Sequence, residues 1–233
     1  MDSDPLRGNG PSPKTKIFSE LCQMPGFGPC VDGVYGGLKT TARRHPESPT
    51  LEDPMSKALT GKRIAILVTD GFEQVELTGP KEALEQAGAT VEILSTEEGQ
   101  VKGWNHDKPA DDFKIDRTFK AANASDYHGV VLPGGVQNSD TIRIDTDAQK
   151  LVKDIEGSGK PVAVICHGGW LLISAGLVKG KTLTSFKTLK DDLVNAGAKW
   201  VDQEVVTDGT LISSRQPDDI PAFNSKLIEA LSA

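Results

Sequence analysis

Apolar positions follow two regimes along the chain. Up to about residue 54 no apolar period of 2 or 3.6 persists, and Pro, Gly, Ser, Thr and charged residues dominate. This stretch is therefore expected to be a disordered or low-complexity extension. From Arg63 onward short apolar runs alternate with helical patterns. Residues 63–68 (Arg-Ile-Ala-Ile-Leu-Val) form a continuous β-type run, a Thr-Asp-Gly turn follows, and a helix is expected over 73–87, stopped by Gly88. A second strand is expected over 90–94. This strand–helix–strand order predicts a parallel unit with a right-handed crossover.

The theme repeats. Strands are expected over 129–132 and 161–165, with a helix over about 148–156 between them and an apolar helical run over 170–175. Beyond these, 181–185 reads as a strand, 189–196 as a helix closed by Gly197, 204–206 and 211–213 as strands around an Asp208-Gly209 turn, and 220–231 as an amphipathic helix. The predicted class is α/β with a mostly parallel sheet. Open sheets of this kind place their sites at the carboxyl ends of the strands, so residues 70–76, 133–136 and 166–169 are expected to converge.

Composition narrows the picture. The 233 residues suit one sizeable α/β domain. A formal net charge of −7, with no basic run, argues against nucleic acid and anionic membranes as partners. The apolar runs have strand length, far below the ~20 residues of a membrane span. Three cysteines cannot all pair within one chain, and no signal-peptide core is present, so a reduced cytoplasmic setting is expected. Cys22 and Cys30 read as incidental thiols. Met55 opens a segment just ahead of the first strand and is expected as an alternative start of translation. Neither His106 nor His128 has metal-ligand spacing, so neither metal nor cofactor is expected.

The chemistry centres on Ile165-Cys166-His167-Gly168-Gly169, which follows a buried strand and precedes a helix. This is the context of a nucleophile elbow, with the thiol exposed at the top of the sheet. The helix N-terminus is expected to lower the thiol pKa. His167 is a candidate acid/base, although neighbours at a tight turn usually diverge. Glu73 and Glu76, at the start of the first helix, are candidates to hold the thiol. Backbone N–H groups of Gly134 and Gly135, with that of His167, would form an oxyanion site. Trp104 and His106 are candidates for the entrance, while Trp170 and Trp200 are assigned to packing.

In this order, Asp70-Gly-Phe-Glu73 with Val75-Glu76-Leu77, Gly103-Trp-Asn-His106, Leu132-Pro-Gly-Gly135, Val164-Ile-Cys-His-Gly168 and Ser213-Ser-Arg215 resemble the PfpI-like intracellular protease and deglycase group. That group lies within the class I glutamine amidotransferase-like superfamily, and the resemblance spans 62–231. It implies a flavodoxin-like three-layer sandwich and a homo-oligomer, a dimer or hexamer. It also implies a thiol contacted by Glu76, with Glu73 at a second acidic position. Asp140 is the nearest match to an acidic residue supplied by the neighbouring subunit in protease-like members. Two departures stand out: Gly169 where many relatives carry proline, and Phe186 where some protease-like members carry tyrosine. The implied activity is a stress-protective hydrolase of reactive carbonyls, whose substrate is a small-molecule aldehyde such as methylglyoxal or a glycated protein. The alternatives are an oligomeric cysteine peptidase and a redox-sensing or chaperone-like protein.

Overall fold

The fold is that of a computed structural model, which describes residues 58–233. The expectations for residues 1–54, including Cys22 and Cys30, and for a start at Met55 fall outside the described residues.

In chain order the elements are β1 (Arg63–Leu67), β2 (Phe72–Glu73), α1 (Gln74–Gln86), β3 (Thr90–Ser95), β4 (Gln100–Asn105), β5 (Lys108–Lys114), β6 (Arg117–Thr118), β7 (Gly129–Leu132), α2 (Val136–Ile142), α3 (Thr146–Gly157), β8 (Val162–Ile165), α4 (Gly169–Ser174), β9 (Thr182–Leu183), α5 (Lys190–Asn195), β10 (Lys199–Trp200), β11 (Val205–Asp208), β12 (Leu211–Ser214) and α6 (Ile220–Ser232). The central sheet has the order β11-β12-β8-β7-β1-β3-β6, parallel throughout except for β11 at one edge.

Alternation along each buried strand divides the core into two layers. Ile64 and Ile66 face one side with Leu77, Leu84, Phe223 and Leu227 from α1 and α6. Ala65 and Leu67 face the other, with Leu151, Ile155, Leu171 and Leu193 from α3, α4 and α5. Helices on both faces of a parallel sheet bury it completely, which is why its inner strands read as continuous apolar runs rather than alternating ones. The result is a flavodoxin-like three-layer sandwich. The chain leaves β1 for β3 on one side and returns to β7 on the other, so the strand order reverses between β1 and β7, where such sheets place ligands.

Two details differ from the sequence expectation. The hairpin of β11 and β12 is present, but Asp208 pairs with Leu211, so the two-residue loop is Gly209-Thr210 rather than Asp208-Gly209. Gly209 has φ +61°, and glycine at the first central position is what such a loop demands. The run at 181–185 gives only the two-residue β9, paired with β10 outside the central sheet.

A second small sheet, in the order β2-β4-β5, projects beside the site. Its β4–β5 hairpin closes at His106-Asp107, with His106 at φ +57°, and a register shift between Lys102 and Trp104 marks a bulge.

Candidate active site

Cys166 stands directly after β8 with φ +59°, a left-handed conformation that side chains other than glycine adopt at a cost of about 1–2 kcal/mol. The surroundings enforce it. Gly168 passes the β7 loop so closely that a Cβ there would lie 2.5 Å from the Leu132 carbonyl oxygen. The strained turn lifts the Cys166 side chain to the carboxyl edge of the sheet, where it stays 7% exposed at the floor of a cavity of about 940 Å³.

Three groups converge on the thiol. The Nδ1 of His167 is 3.1 Å from Sγ, and its Nε2 lies 3.2 Å from Thr188 Oγ1, which fixes the ring. Phe186 and Trp170 flank that ring at centroid separations of 5.0 and 5.5 Å. The backbone N–H groups of His167 and Gly135 lie beside the sulfur and favour its thiolate. The third group is Glu76, fully buried on α1. Its Oε2 accepts the Gly134 N–H at 2.7 Å, while Oε1 has no conventional hydrogen-bond partner and the carboxyl interacts with the thiol.

Burial dominates the electrostatics. It pushes the Glu76 carboxyl up from 4.5 to about 8, against the lowering effect of the Gly134 N–H, so Glu76 is protonated at neutral pH. The Cys166 thiol is also raised, first by burial and then by Glu76, because two acidic groups sharing a dry site cannot both ionise cheaply. Burial lowers His167, leaving a neutral imidazole able to accept a proton. This corrects the expectation of a lowered thiol pKa: α4 has only six residues, and desolvation outweighs its dipole.

The outer wall belongs to the small sheet. Pairing of Glu73 with Trp104 draws the β4–β5 hairpin over the cavity. The Glu73 carboxylate accepts the His106 N–H at 3.1 Å, and Gln74 exchanges two hydrogen bonds of 2.8 Å with Asp111.

The DJ-1/PfpI family model matches residues 62–230. The chain belongs to the DJ-1/PfpI family. Among curated relatives it is similar to deglycase PfpI of Pyrococcus furiosus, with 39% identity over 169 residues, covering 72% of this chain and 99% of that one. It is equally similar, at 39% over 170 residues, to a Bacillus subtilis protein named "Putative cysteine protease YraA" (73% and 98% covered). Among solved structures, a two-domain protein of Anabaena variabilis with DJ-1/ThiJ/PfpI-like and ferritin-like domains aligns with a TM-score of 0.69 at 34% identity. The alignment covers 73% of this chain and 48% of that one, so the match spans about half of the two-domain protein.

In this DJ-1/PfpI domain the cavity is lined by Cys166, His167, Glu73, Glu76, Gly135, Asp140, Trp104 and His106, all nominated from the sequence. Their placement is not uniform. Glu76 reaches the thiol, whereas Glu73 clamps the hairpin turn instead. His167 does not diverge from Cys166 but folds back onto it. Gly134 departs from its expected role: its N–H is committed to Glu76 and is not free for an oxyanion, leaving Gly135 and His167 as the backbone donors. A Cβ at Gly134 would meet the His167 nitrogen at 2.7 Å, so bare backbone is required there. Asp140 sits exposed at the rim. Trp170, assigned to packing, also forms cavity wall and donates its indole N–H to Asp192 at 2.8 Å. Sequence reasoning missed Thr188, Gln216 and Asp218. Only the neighbouring Ser213-Ser-Arg215 match pointed to the last two, and Thr188 carries no local signal.

Proposed function

We propose that this chain is a cysteine-dependent hydrolase of reactive carbonyls, acting on an α-oxoaldehyde such as methylglyoxal or on its early adducts with protein side chains. The observation that carries this reading is the convergence on one sulfur of a neutral imidazole at 3.1 Å, two backbone N–H donors and a protonated carboxyl. His167 takes the thiol proton through Nδ1, and the sulfur adds to the aldehyde carbon to form a hemithioacetal. The carbonyl oxygen takes its proton from Glu76 or from the His167 imidazolium. With a free oxoaldehyde, proton transfer from the hemithioacetal carbon to its neighbour gives a thioester, and water releases a 2-hydroxy acid and the thiol. With an adduct, the sulfur displaces the amine, and the same steps follow. Relatives named deglycase support the reading.

The proposal places the enzyme in a homo-oligomer in the cytoplasm, with Asp140 facing a neighbouring subunit. Light scattering on the full chain reads the assembly directly. Among the described residues no helix is long and apolar enough to cross a membrane. A second reading, cysteine peptidase, is favoured by the Cys166–His167 contact itself, although Phe186 offers no hydroxyl to that chemistry.

The test compares the parent protein and Cys166→Ala on a panel of α-oxoaldehydes, glycated peptides and fluorogenic peptides. Loss of at least about 1000-fold in oxoaldehyde or adduct turnover is expected. Parent-rate turnover by the alanine variant sinks the proposal, and peptide cleavage without aldehyde turnover selects the second reading.

A further inference from the structure

Asn138 lies on α2, is completely buried, and does not touch the thiol. Its side-chain amide nevertheless uses its full hydrogen-bonding capacity. Oδ1 accepts from the Thr69 N–H at 2.7 Å and from the Thr69 hydroxyl at 3.2 Å. Nδ2 donates to the carbonyls of Pro133 at 3.1 Å and Gly134 at 2.9 Å. Asn138 therefore ties the loop after β1 to the loop after β7 across the point where the strand order reverses.

Those two carbonyls belong to successive peptide groups. In a planar trans peptide the C=O and the following N–H point in opposite directions. Holding the Pro133 carbonyl on Asn138 turns the Gly134 N–H away from it, toward Glu76 Oε2, where it bonds at 2.7 Å. Holding the Gly134 carbonyl turns the Gly135 N–H the other way, toward the Cys166 sulfur. No side chain within the Gly134-Gly135 pair can do this work. A Cβ at Gly134 would collide with Cys166 and Glu76, and one at Gly135 would lie 2.4 Å from the Gly71 carbonyl oxygen. Gly135 itself has φ +84°, a conformation open to several rotations of its flanking peptides. The orientation has to be imposed from outside the loop.

We propose that Asn138 is a positioning residue: its one NH₂ group fixes two consecutive peptide planes so that the Gly134 N–H is delivered to Glu76 and the Gly135 N–H to Cys166. Only the turnover arm of the test rests on the function proposed above. The thiol arm stands without it.

The test uses the full chain with Cys22 and Cys30 replaced by serine, so that iodoacetamide alkylation reports on Cys166 alone. Alkylation rate against pH is measured for this parent and for Asn138→Ala, Asn138→Ser and Thr69→Val, each with its urea unfolding curve, and methylglyoxal turnover is measured alongside. Losing the aimed Gly135 donor disfavours the thiolate, so Asn138→Ala is expected to move the alkylation inflection up by about one pH unit, a roughly tenfold slower reaction at pH 7. Asn138→Ser is expected to fall in between, and it decides the matter if the alanine variant does not fold. Thr69→Val removes a buried hydroxyl from the same network but leaves both Nδ2 bonds in place, so it is expected to lose stability without moving the inflection. An inflection within 0.3 pH units of the parent in the folded Asn138 variants overturns the proposal. So does a shift in Thr69→Val as large as that in the Asn138 variants, which would make the role merely structural. A shifted inflection in a protein with no aldehyde turnover upholds Asn138 and removes the carbonyl-hydrolase reading.

Discussion

The pH dependence of folding stability gives direct access to Glu76. In the native state its carboxyl titrates at about 8, against an ordinary value of 4.5 that it regains on unfolding. Between these values the native protein holds a proton that the unfolded chain has released. The unfolding free energy therefore falls as pH rises through the window and levels off above it. His167 acts in the opposite sense. Its native pKa is lowered from 6.5, so its stabilising contribution is lost as pH falls below about 6.5. The two slopes oppose each other at acidic pH, and above 6.5 that of Glu76 stands alone. From pH 6.5 to 8 the loss is about 1.6 kcal/mol, less than the full 1.36 kcal/mol per pH unit would give because the native carboxyl is half ionised at its own pKa. Raising of the Cys166 thiol adds a further loss only where unfolded thiols ionise, above about pH 8.5, so the window closes before it. Glu76→Gln keeps an acceptor for the Gly134 N–H and a donor for the sulfur but has no proton to release. The assay is urea unfolding of parent and variant at pH 6.5, 7.0, 7.5 and 8.0, at constant ionic strength with reductant present. Relative to the glutamine variant, the parent is expected to lose about 1.6 kcal/mol across the series, while all other titrating groups are common to both proteins and cancel. Parallel stability profiles would refute the argument that burial holds Glu76 protonated.

The remaining predictions concern backbone conformation near the elbow. At φ +59° an alanine carries the left-handed penalty of about 1–2 kcal/mol and a glycine does not, so Cys166→Gly is expected to be at least as stable in urea as Cys166→Ala. An alanine variant more stable by about 1 kcal/mol, the ordinary order, would contradict the strained elbow. Gly169 has φ −56°, and a Cβ added there would have Leu189 Cδ2 as its nearest neighbour at 3.5 Å, so Gly169→Ala is expected to raise stability by about 0.4–1 kcal/mol. Gly168→Ala would drive its methyl against the Leu132 and Pro133 carbonyls and is expected to cost about 1–3 kcal/mol; thermal unfolding of the two variants separates the cases.

The inner strands and the elbow were legible because sheet burial on both faces writes uninterrupted apolar runs into the sequence, and because Cys-His-Gly-Gly closes one of them. The β4–β5 hairpin was not. Its second strand, Lys-Pro-Ala-Asp-Asp-Phe-Lys, is mostly exposed, and it is held by pairing to β4 and by the edge contact of Phe113 with Phe72. α2 escaped notice for a related reason. It exposes Val136 and buries Asn138 and Ser139 alongside Ile142, a pattern with too few apolar inner positions to read as amphipathic, because Asn138 is buried for its hydrogen bonds. The His167 contact and the commitment of the Gly134 N–H depend on rotations about single bonds in a glycine-rich loop, which residue identity alone does not determine.

The small β2-β4-β5 sheet has a consequence for how this enzyme changes over time. The thiol, its imidazole and its buried carboxyl are anchored in the central sandwich, while Trp104 and His106 ride on a hairpin joined to it through the two residues of β2, a few polar contacts and the apolar side chains of Val101 and Phe113 near its base. The groups around the sulfur and the outer wall of the cavity are thus carried on separate pieces of chain. Val101 and Phe113 pack into the core beneath, so it is the exposed tip, residues 105–109, that can lengthen, shorten or exchange its side chains without disturbing the layers that hold the sulfur. A change at that tip reshapes the cavity wall while the groups around the sulfur keep their positions.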